Sequence, residues 1–210
     1  MKPTRAGTIL AATLPVAMLS AGCISPSGPP AIVEVSPGIF VGSKPSTRAH
    51  FDALHAHGIR TILSFQELPW DIYPERRAAR KNGFDYRDVP ILASPLQPSE
   101  RRVKEALLAL RAPSLRPIFV HCLLGKDRTA FILGLYRVYY EDWPPEAAGA
   151  EMLRSGFHVR STLRGFQTYF WSHTRKPDWV VRGPEQKHVR TQRGPPPPKN
   201  AAFACSYYGP

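Results

Sequence analysis

The stretch HCLLGKDRT, residues 121–129, has a short apolar run before it and a long one after it. Residues 117–120 (PIFV) predict a buried strand, and residues 130–140 (AFILGLYRVYY) predict an apolar helix. A tight loop between a strand and the N-terminus of a helix directs main-chain N–H groups inward, and the helix dipole adds positive potential. The sequence therefore predicts an anion-binding loop at residues 121–129.

The side chains of this loop suit a phosphate group. Gly125 permits a sharp turn because it has no Cβ, and Arg128 can hold two phosphate oxygens with its planar guanidinium. The same positive field favours the thiolate form of Cys122, which can attack phosphorus. Thr129 stands where its hydroxyl could stabilise that sulfur as a leaving group, and His121 is expected to orient the loop through hydrogen bonds. The alternative is that Cys122 is a buried structural cysteine.

Strands and helices alternate in the rest of the middle of the chain. The predicted elements are strands or extended segments at 38–46, 59–65 and 84–91, and helices at 47–57, 74–82, 100–110, 144–156 and 163–171. This alternation predicts an α/β fold with a central, mostly parallel sheet flanked by helices. The phosphate-binding loop would lie between a strand and a helix of that fold.

The N-terminus has the pattern of an export signal. Lys2 and Arg5 precede an apolar run at residues 8–19 that is too short to span a bilayer. Small residues then lead into Cys23, which resembles a bacterial lipoprotein signal in which that cysteine is lipidated; ordinary cleavage near Ala21 is the alternative. The first reading predicts an exported lipoprotein of the bacterial cell envelope, anchored in the outer membrane and facing the periplasm.

The loop sequence HCLLGKDRT resembles the His-Cys-x5-Arg-Thr signature of the cysteine-dependent protein tyrosine phosphatase superfamily, in its small dual-specificity-like branch. The likeness continues at residues 38–46 (GIFVGSKPS), 54–67 (LHAHGIRTILSFQE) and 141–158 (EDWPPEAAGAEMLRSGFH). It implies hydrolysis of phosphate monoesters through a phosphocysteine, with no metal or other cofactor. Phosphotyrosine and phosphoinositide or inositol phosphate substrates are both compatible with it.

The resemblance also implies roles for the loop residues. Cys122 would be the nucleophile, Arg128 the phosphate clamp, and Thr129 the group that stabilises the thiolate. The substrate's phosphate would be bound by the loop backbone and by one lysine side chain, at Leu123, Leu124, Gly125 and Lys126.

The general acid is the open question in this assignment. Family members commonly carry an Asp on a mobile loop upstream of the cysteine, but residues 90–99 contain no carboxylate, and Asp88 and Glu100 flank that segment. Relatives with Gly-Lys-Asp-Arg-Thr in the loop point to Asp127 as the acid, whereas a structural role, paired with Lys126 or a helix N-terminus, is the alternative. A catalytically weak phosphate-binding module is therefore the second function, and sulfur transfer is a third.

Four segments follow from these observations: a signal at 1–23, a flexible linker at 24–34, a dual-specificity-phosphatase-like domain at 35–174, and a basic, proline-rich disordered tail at 175–210. The 210 residues carry 28 Lys and Arg against 16 Asp and Glu, a net charge of +12. Such a charge favours phosphorylated substrates or an anionic membrane.

Nucleic acid is not an expected partner, because no aromatic residues interleave with the basic ones before the last residues. A monomer is expected. The three cysteines form no disulfide framework, although Cys122 and Cys205 could pair in an oxidising compartment.

Overall fold

A computed structural model describes residues 31–158 and 163–180, which form five strands and six α-helices. The strands are β1 Val33–Ser36, β2 Ile39–Gly42, β3 Thr61–Ser64, β4 Asp85–Asp88 and β5 Ile118–His121. The helices are α1 Arg48–Ala56, α2 Pro69–Lys81, α3 Glu100–Arg111, α4 Asp127–Tyr140, α5 Pro145–Arg154 and α6 Arg164–Ser172.

The five strands form one sheet in the order β1-β2-β5-β3-β4. Strands β2, β5, β3 and β4 run parallel, and β1 alone pairs antiparallel, with β2. The mostly parallel sheet predicted from the alternation of elements is thus confirmed. In the parallel register Ser64 lies opposite both His121 and Asp88, so the carboxyl ends of β3, β4 and β5 share one edge of the sheet.

Helices cover both faces of the sheet. Helices α1 and α2 pack on one face through a smaller core, and α3 to α6 pack on the other through a larger one. Helix α4 is central to the larger core: it contacts β5, α3, α5 and α6, and each of its residues from Thr129 to Tyr140 is buried. A helix that is apolar on all sides needs this surrounding, because no side of it is suited to water.

Several elements begin earlier than the sequence predicts. Residues Val33 and Glu34, assigned to the linker, belong to β1, where they pair with β2. Helix α2 starts at Pro69 rather than at residue 74; Pro69 takes the first helical position and Pro74 lies inside the helix. Helix α4 starts at Asp127 rather than at residue 130, so the last three of the nine residues of the predicted anion loop belong to its first turn.

The first residues of the predicted tail lie against the fold. Trp179 and Val180 pack on the larger core, with the Trp179 ring edge-on to Tyr139 and beneath the ammonium of Lys104. The remainder of the tail with Cys205, the signal with Cys23, and most of the linker lie outside the described residues. Among the described helices, none has the length and apolarity needed to cross a membrane.

Candidate active site

The predicted anion loop connects the carboxyl end of β5 to the first turn of α4. His121 is the last residue of β5, and Asp127 is the first residue of α4. Cys122 lies between them as a free thiol that is only 3% exposed, whereas Leu123 and Leu124 are about half exposed. The loop therefore keeps its cysteine inside the fold and turns its next two side chains outward.

Gly125 is required at its position for two reasons. Its φ of +69° lies in the left-handed region, which side chains rarely adopt. A Cβ there would also lie 2.1 Å from the carbonyl oxygen of Gly42, the last residue of β2. The loop thus packs directly on the end of β2. The main-chain N–H of Lys44, two residues after β2, also donates to the Leu123 carbonyl of the loop at 3.1 Å.

Arg128 is held in place by a carboxylate from another part of the sheet edge. One terminal nitrogen of its guanidinium lies 2.9 Å from Oε1 of Glu67, and both side chains are mostly buried. The other oxygen of Glu67 accepts the main-chain N–H of Ala93 at 2.7 Å. Glu67 therefore joins the segment after β3 to the segment after β4 and to the anion loop.

Glu67 is not among the site residues predicted from the sequence. The available signal was its position directly after the predicted strand at 59–65, at the sheet edge where the anion loop also begins. The Nε atom of Arg128 is buried and makes no hydrogen bond to any described residue. Its guanidinium thus keeps a donor that Glu67 does not use.

His121 is fully buried behind the loop. Its Nδ1 lies 2.8 Å from the main-chain oxygen of Cys122, and its Nε2 lies 2.7 Å from Oε1 of Glu75 on α2. Because a carbonyl oxygen can only accept, Nδ1 carries a proton and donates it. His121 therefore makes a hydrogen bond to the loop, which is the kind of contact predicted for it.

Thr129 is buried in the first turn of α4, at 1% exposure. Its hydroxyl makes no hydrogen bond within the described parts of the chain. The contact to the Cys122 sulfur that we predicted is therefore not formed in this arrangement, although the two residues belong to the same short loop and helix turn.

Asp127 is bound to His158, which follows α5. Its Oδ1 accepts the main-chain N–H of His158 at 2.8 Å and lies 3.2 Å from the ring Nδ1. Of the two structural alternatives considered for Asp127, the helix N-terminus is observed, because Asp127 is the first residue of α4; its side chain pairs with His158 rather than with Lys126. The side chain of Lys126 instead lies against Gly156, where a Cβ would come within 3.1 Å of Lys126 Cδ.

Large apolar side chains are exposed on the segments that follow β3, β4 and β5. We call this set the apolar rim; it comprises Leu68, Trp70, Leu92, Leu96, Leu123 and Leu124. The segments are joined by the Glu67 contacts and by Lys44, which binds Leu123 through its backbone and Asp71 through its side chain. Exposed apolar side chains on segments that share one edge of a sheet are candidates for a binding surface.

No group of three or more His, Cys, Asp or Glu side chains in residues 31–158 and 163–180 is arranged to hold a metal ion. What the loop offers is a set of anion-binding groups: main-chain N–H groups at a helix N-terminus, a positioned guanidinium and a buried thiol. Such a set can bind a phosphate group and bring a sulfur nucleophile to phosphorus.

Comparison with known proteins finds relatives with a named phosphatase activity. No protein-family model matches the chain. The dual specificity protein phosphatase TpbA of Pseudomonas aeruginosa strain UCBPP-PA14 is 34% identical over 142 residues, which are 66% of this chain and 60% of that protein. TpbA of a second P. aeruginosa strain is 25% identical over the same shares. The chain thus spans 60% of the length of the curated relatives it matches.

Solved structures show the same architecture. The core catalytic domain of the PP-IP phosphatase SIW14 from S. cerevisiae, in complex with citrate, superposes with a TM-score of 0.59 at 22% identity, covering 72% of this chain and 90% of that one. A cysteine-to-serine variant of P. aeruginosa TpbA in complex with pTyr superposes with a TM-score of 0.51 at 21% identity, covering 66% and 82%. The chain is therefore similar in sequence to the dual specificity phosphatase TpbA and shares the α/β fold of these solved phosphatase structures.

Proposed function

We propose that this protein is a phosphatase that hydrolyses phosphate monoesters through a phosphocysteine on Cys122. The observation that carries the proposal is the loop at residues 121–129. A buried thiol and a guanidinium held by Glu67 meet there at the N-terminus of a helix. The sequence similarity of the chain to the phosphatase TpbA also supports this activity.

The proposed reaction has two steps. The Cys122 thiolate attacks phosphorus, so that an S–P bond forms while the P–O bond to the leaving group breaks and the leaving oxygen takes up a proton. Water then attacks the phosphocysteine, the S–P bond breaks, and inorganic phosphate and the thiolate are released. The loop N–H groups and Arg128 stabilise the charge on the phosphoryl oxygens in both steps.

The apolar rim supports substrates whose phosphate is attached to an apolar or aromatic group. Phosphotyrosine fits this description, and a TpbA variant has been crystallised with pTyr. Phosphoinositides and inositol phosphates are the second substrate class, supported by the fold shared with a PP-IP phosphatase. Tyrosine leaves with a pKa near 10, so a phosphotyrosine substrate depends strongly on a proton donor. Asp127 is our candidate for that donor.

The test is phosphate release by the purified protein under reducing conditions. The panel is a phosphotyrosine peptide, phosphoinositides and inositol polyphosphates, each compared with the Cys122→Ser variant. We expect release from at least one substrate and a loss of about a thousandfold or more in the variant, because removing a nucleophile removes the covalent route. A variant as active as the wild-type protein would contradict the proposed mechanism.

A second candidate, a phosphate-binding module with weak turnover, is favoured by the state of Asp127. Its Oδ1 is occupied by His158, and residues 90–99 offer no other carboxylate. In the same assay, binding of a phosphate analogue such as vanadate without release from any substrate would favour this candidate.

A further inference from the structure

We propose that Glu75 on α2 is a positioning residue that sets the Cys122 loop through His121. The inference rests on the proposed function, because it concerns how the same loop is prepared for phosphate. Glu75 does not touch the loop itself; the imidazole of His121 stands between them.

The contacts form a chain from α2 to the nucleophile. The side chains of Glu75 and His121 are both 0% exposed, and Oε1 lies 2.7 Å from Nε2. The other carboxylate oxygen accepts Nε2–H of Gln66 at 2.6 Å. On its far side the imidazole donates from Nδ1 to the Cys122 carbonyl at 2.8 Å.

This arrangement fixes the orientation of the His121 ring. Since the Cys122 carbonyl can only accept, Nδ1 carries the proton that is shared with it. The Glu75 carboxyl lies behind the ring, 2.7 Å from Nε2, and Gln66 holds its other oxygen. The ring is thus fixed between α2 and the backbone of Cys122.

Other charged and polar groups surround the pair without replacing either partner. Tyr86 on β4 lies nearby: burial first, and then the charge of Glu75, raise the pKa of Tyr86, so this hydroxyl is neutral at physiological pH. Arg76 on α2 forms an ion pair with Asp88 at the end of β4. The charged pairs of the anion loop itself are Arg128 with Glu67 and Asp127 with His158.

One consequence for the loop follows. The His121 ring holds the Cys122 carbonyl away from the side of the anion loop that would bind phosphate, where an oxygen would repel the phosphate oxygens that the N–H groups attract. A buried contact between a carboxylate and an imidazole contributes little to stability compared with apolar packing, which agrees with a role in preparing the loop.

The Glu75→Gln variant tests this inference, because it keeps the size of the side chain and removes its charge. The probe is iodoacetamide, and the rate of Cys122 alkylation is followed by mass spectrometry of its peptide in the full chain. We expect the rate to be about tenfold lower in the variant, because the imidazole no longer holds the loop that presents the sulfur. The control is Tyr86→Phe, which changes the same buried cluster without removing a charge and should leave the rate unchanged.

A folded Glu75→Gln protein with the wild-type alkylation rate would overturn the inference. If the variant does not fold, ¹⁵N NMR of the wild-type protein decides: Nδ1 of His121 should carry a proton, because it donates to the Cys122 carbonyl, and an unprotonated Nδ1 would overturn the inference. Neither readout requires turnover. A lowered alkylation rate in a protein that releases no phosphate would therefore reject the proposed function while the inference stands.

Discussion

Glu67 is the single side chain on which the geometry of Arg128 depends most directly. Its two oxygens accept from two different donors, the Arg128 guanidinium and the Ala93 main-chain N–H. In a Glu67→Gln variant one of those positions becomes an amide N–H₂, which would face a donor. Because hydrogen bonds to charged groups contribute about 1.5–3 kcal/mol, we expect kcat/KM to fall about tenfold or more.

Steady-state kinetics on the preferred substrate measures this effect. The matched control is Asp52→Asn, which also removes a carboxylate from an arginine but in an exposed pair with Arg48 on α1. Exposed pairs contribute little, so this control should stay within about twofold of wild type. An unchanged kcat/KM in Glu67→Gln would mean that Arg128 is positioned without Glu67.

At this scale the sequence predicts the loop residues but not the residues that support them. Cys122, Gly125 and Arg128 lie within seven residues of the chain, and this short spacing predicts that they belong to one loop. Glu67 and Glu75 reach the same site from other elements, and only the pairing of β3 with β5 brings them there. The residue pattern within the loop cannot predict contacts with residues that are distant in the sequence.

Arg137 on α4 connects whole elements of the fold, because its guanidinium binds both β1 and α5. Its five N–H donors are all used: they bind the Ser36 hydroxyl and the Val35 carbonyl of β1, Glu151 of α5 through two bonds, and Glu141. Burial disfavours its charge, but the bonds and charges of Glu151 and Glu141 outweigh burial and raise the pKa of Arg137. The guanidinium therefore fastens an edge strand and a helix to the central helix.

We expect Arg137→Met to lower the free energy of unfolding by about 3 kcal/mol, because it leaves two carboxylates and a strand end without their partner. The estimate is at the lower end of the range for broken buried pairs, since Glu141 and Glu151 keep some access to water. Urea denaturation measures it, with Arg154→Met at an exposed position of α5 as the control. A loss below about 1 kcal/mol would show that β1 does not depend on this residue.

The missed strand β1 has the same explanation. Its four residues, Val33–Ser36, follow a proline-rich segment, and only two of them are apolar. The sequence therefore favours the end of a linker at this position. What holds them is pairing with β2 and the Arg137 guanidinium, both supplied by later parts of the chain. Helices α1 and α3, by contrast, were predicted within one or two residues because their apolar spacing is a local feature of the sequence.

For the whole molecule, the alternation of strands and helices was sufficient to predict the α/β fold and a phosphate-binding loop between a strand and a helix. A parallel sheet collects the segments that follow its strands at one edge, which brings Glu67, Ala93 and the anion loop together. The apolar rim was not predicted, because an exposed leucine and a buried one look alike in sequence. Their exposure depends on how three segments meet.

The larger core also contains four tyrosines, Tyr136, Tyr139, Tyr140 and Tyr169, whose ionisation the fold opposes. Burial is the main cause in each case, and it raises the pKa of all four hydroxyls. The pKa of Tyr169 rises to about 12. Tyr139 also donates to the His173 carbonyl at 2.6 Å, which only its protonated form can do.

These shifts predict that the protein loses stability at alkaline pH. A tyrosine whose pKa is raised in the folded state contributes stability that is complete below the unfolded value of about 10 and is lost as the pH rises through the folded value. Between pH 10 and 12 the unfolded chain therefore releases protons that the folded chain retains, and the free energy of unfolding should fall steadily. Denaturant titrations from pH 8 to 12 measure this fall.

Replacing one of the four hydroxyls should flatten the fall. Tyr169→Phe removes a single titrating group, so the slope between pH 10 and 12 should decrease by up to about 1.4 kcal/mol per pH unit. Tyr73→Phe, at an exposed position of α2, is the matched control and should leave the slope unchanged. Equal slopes in the wild-type and Tyr169→Phe proteins would mean that the core opens around Tyr169 before the molecule unfolds, because only a hydroxyl already in water titrates alike in both states.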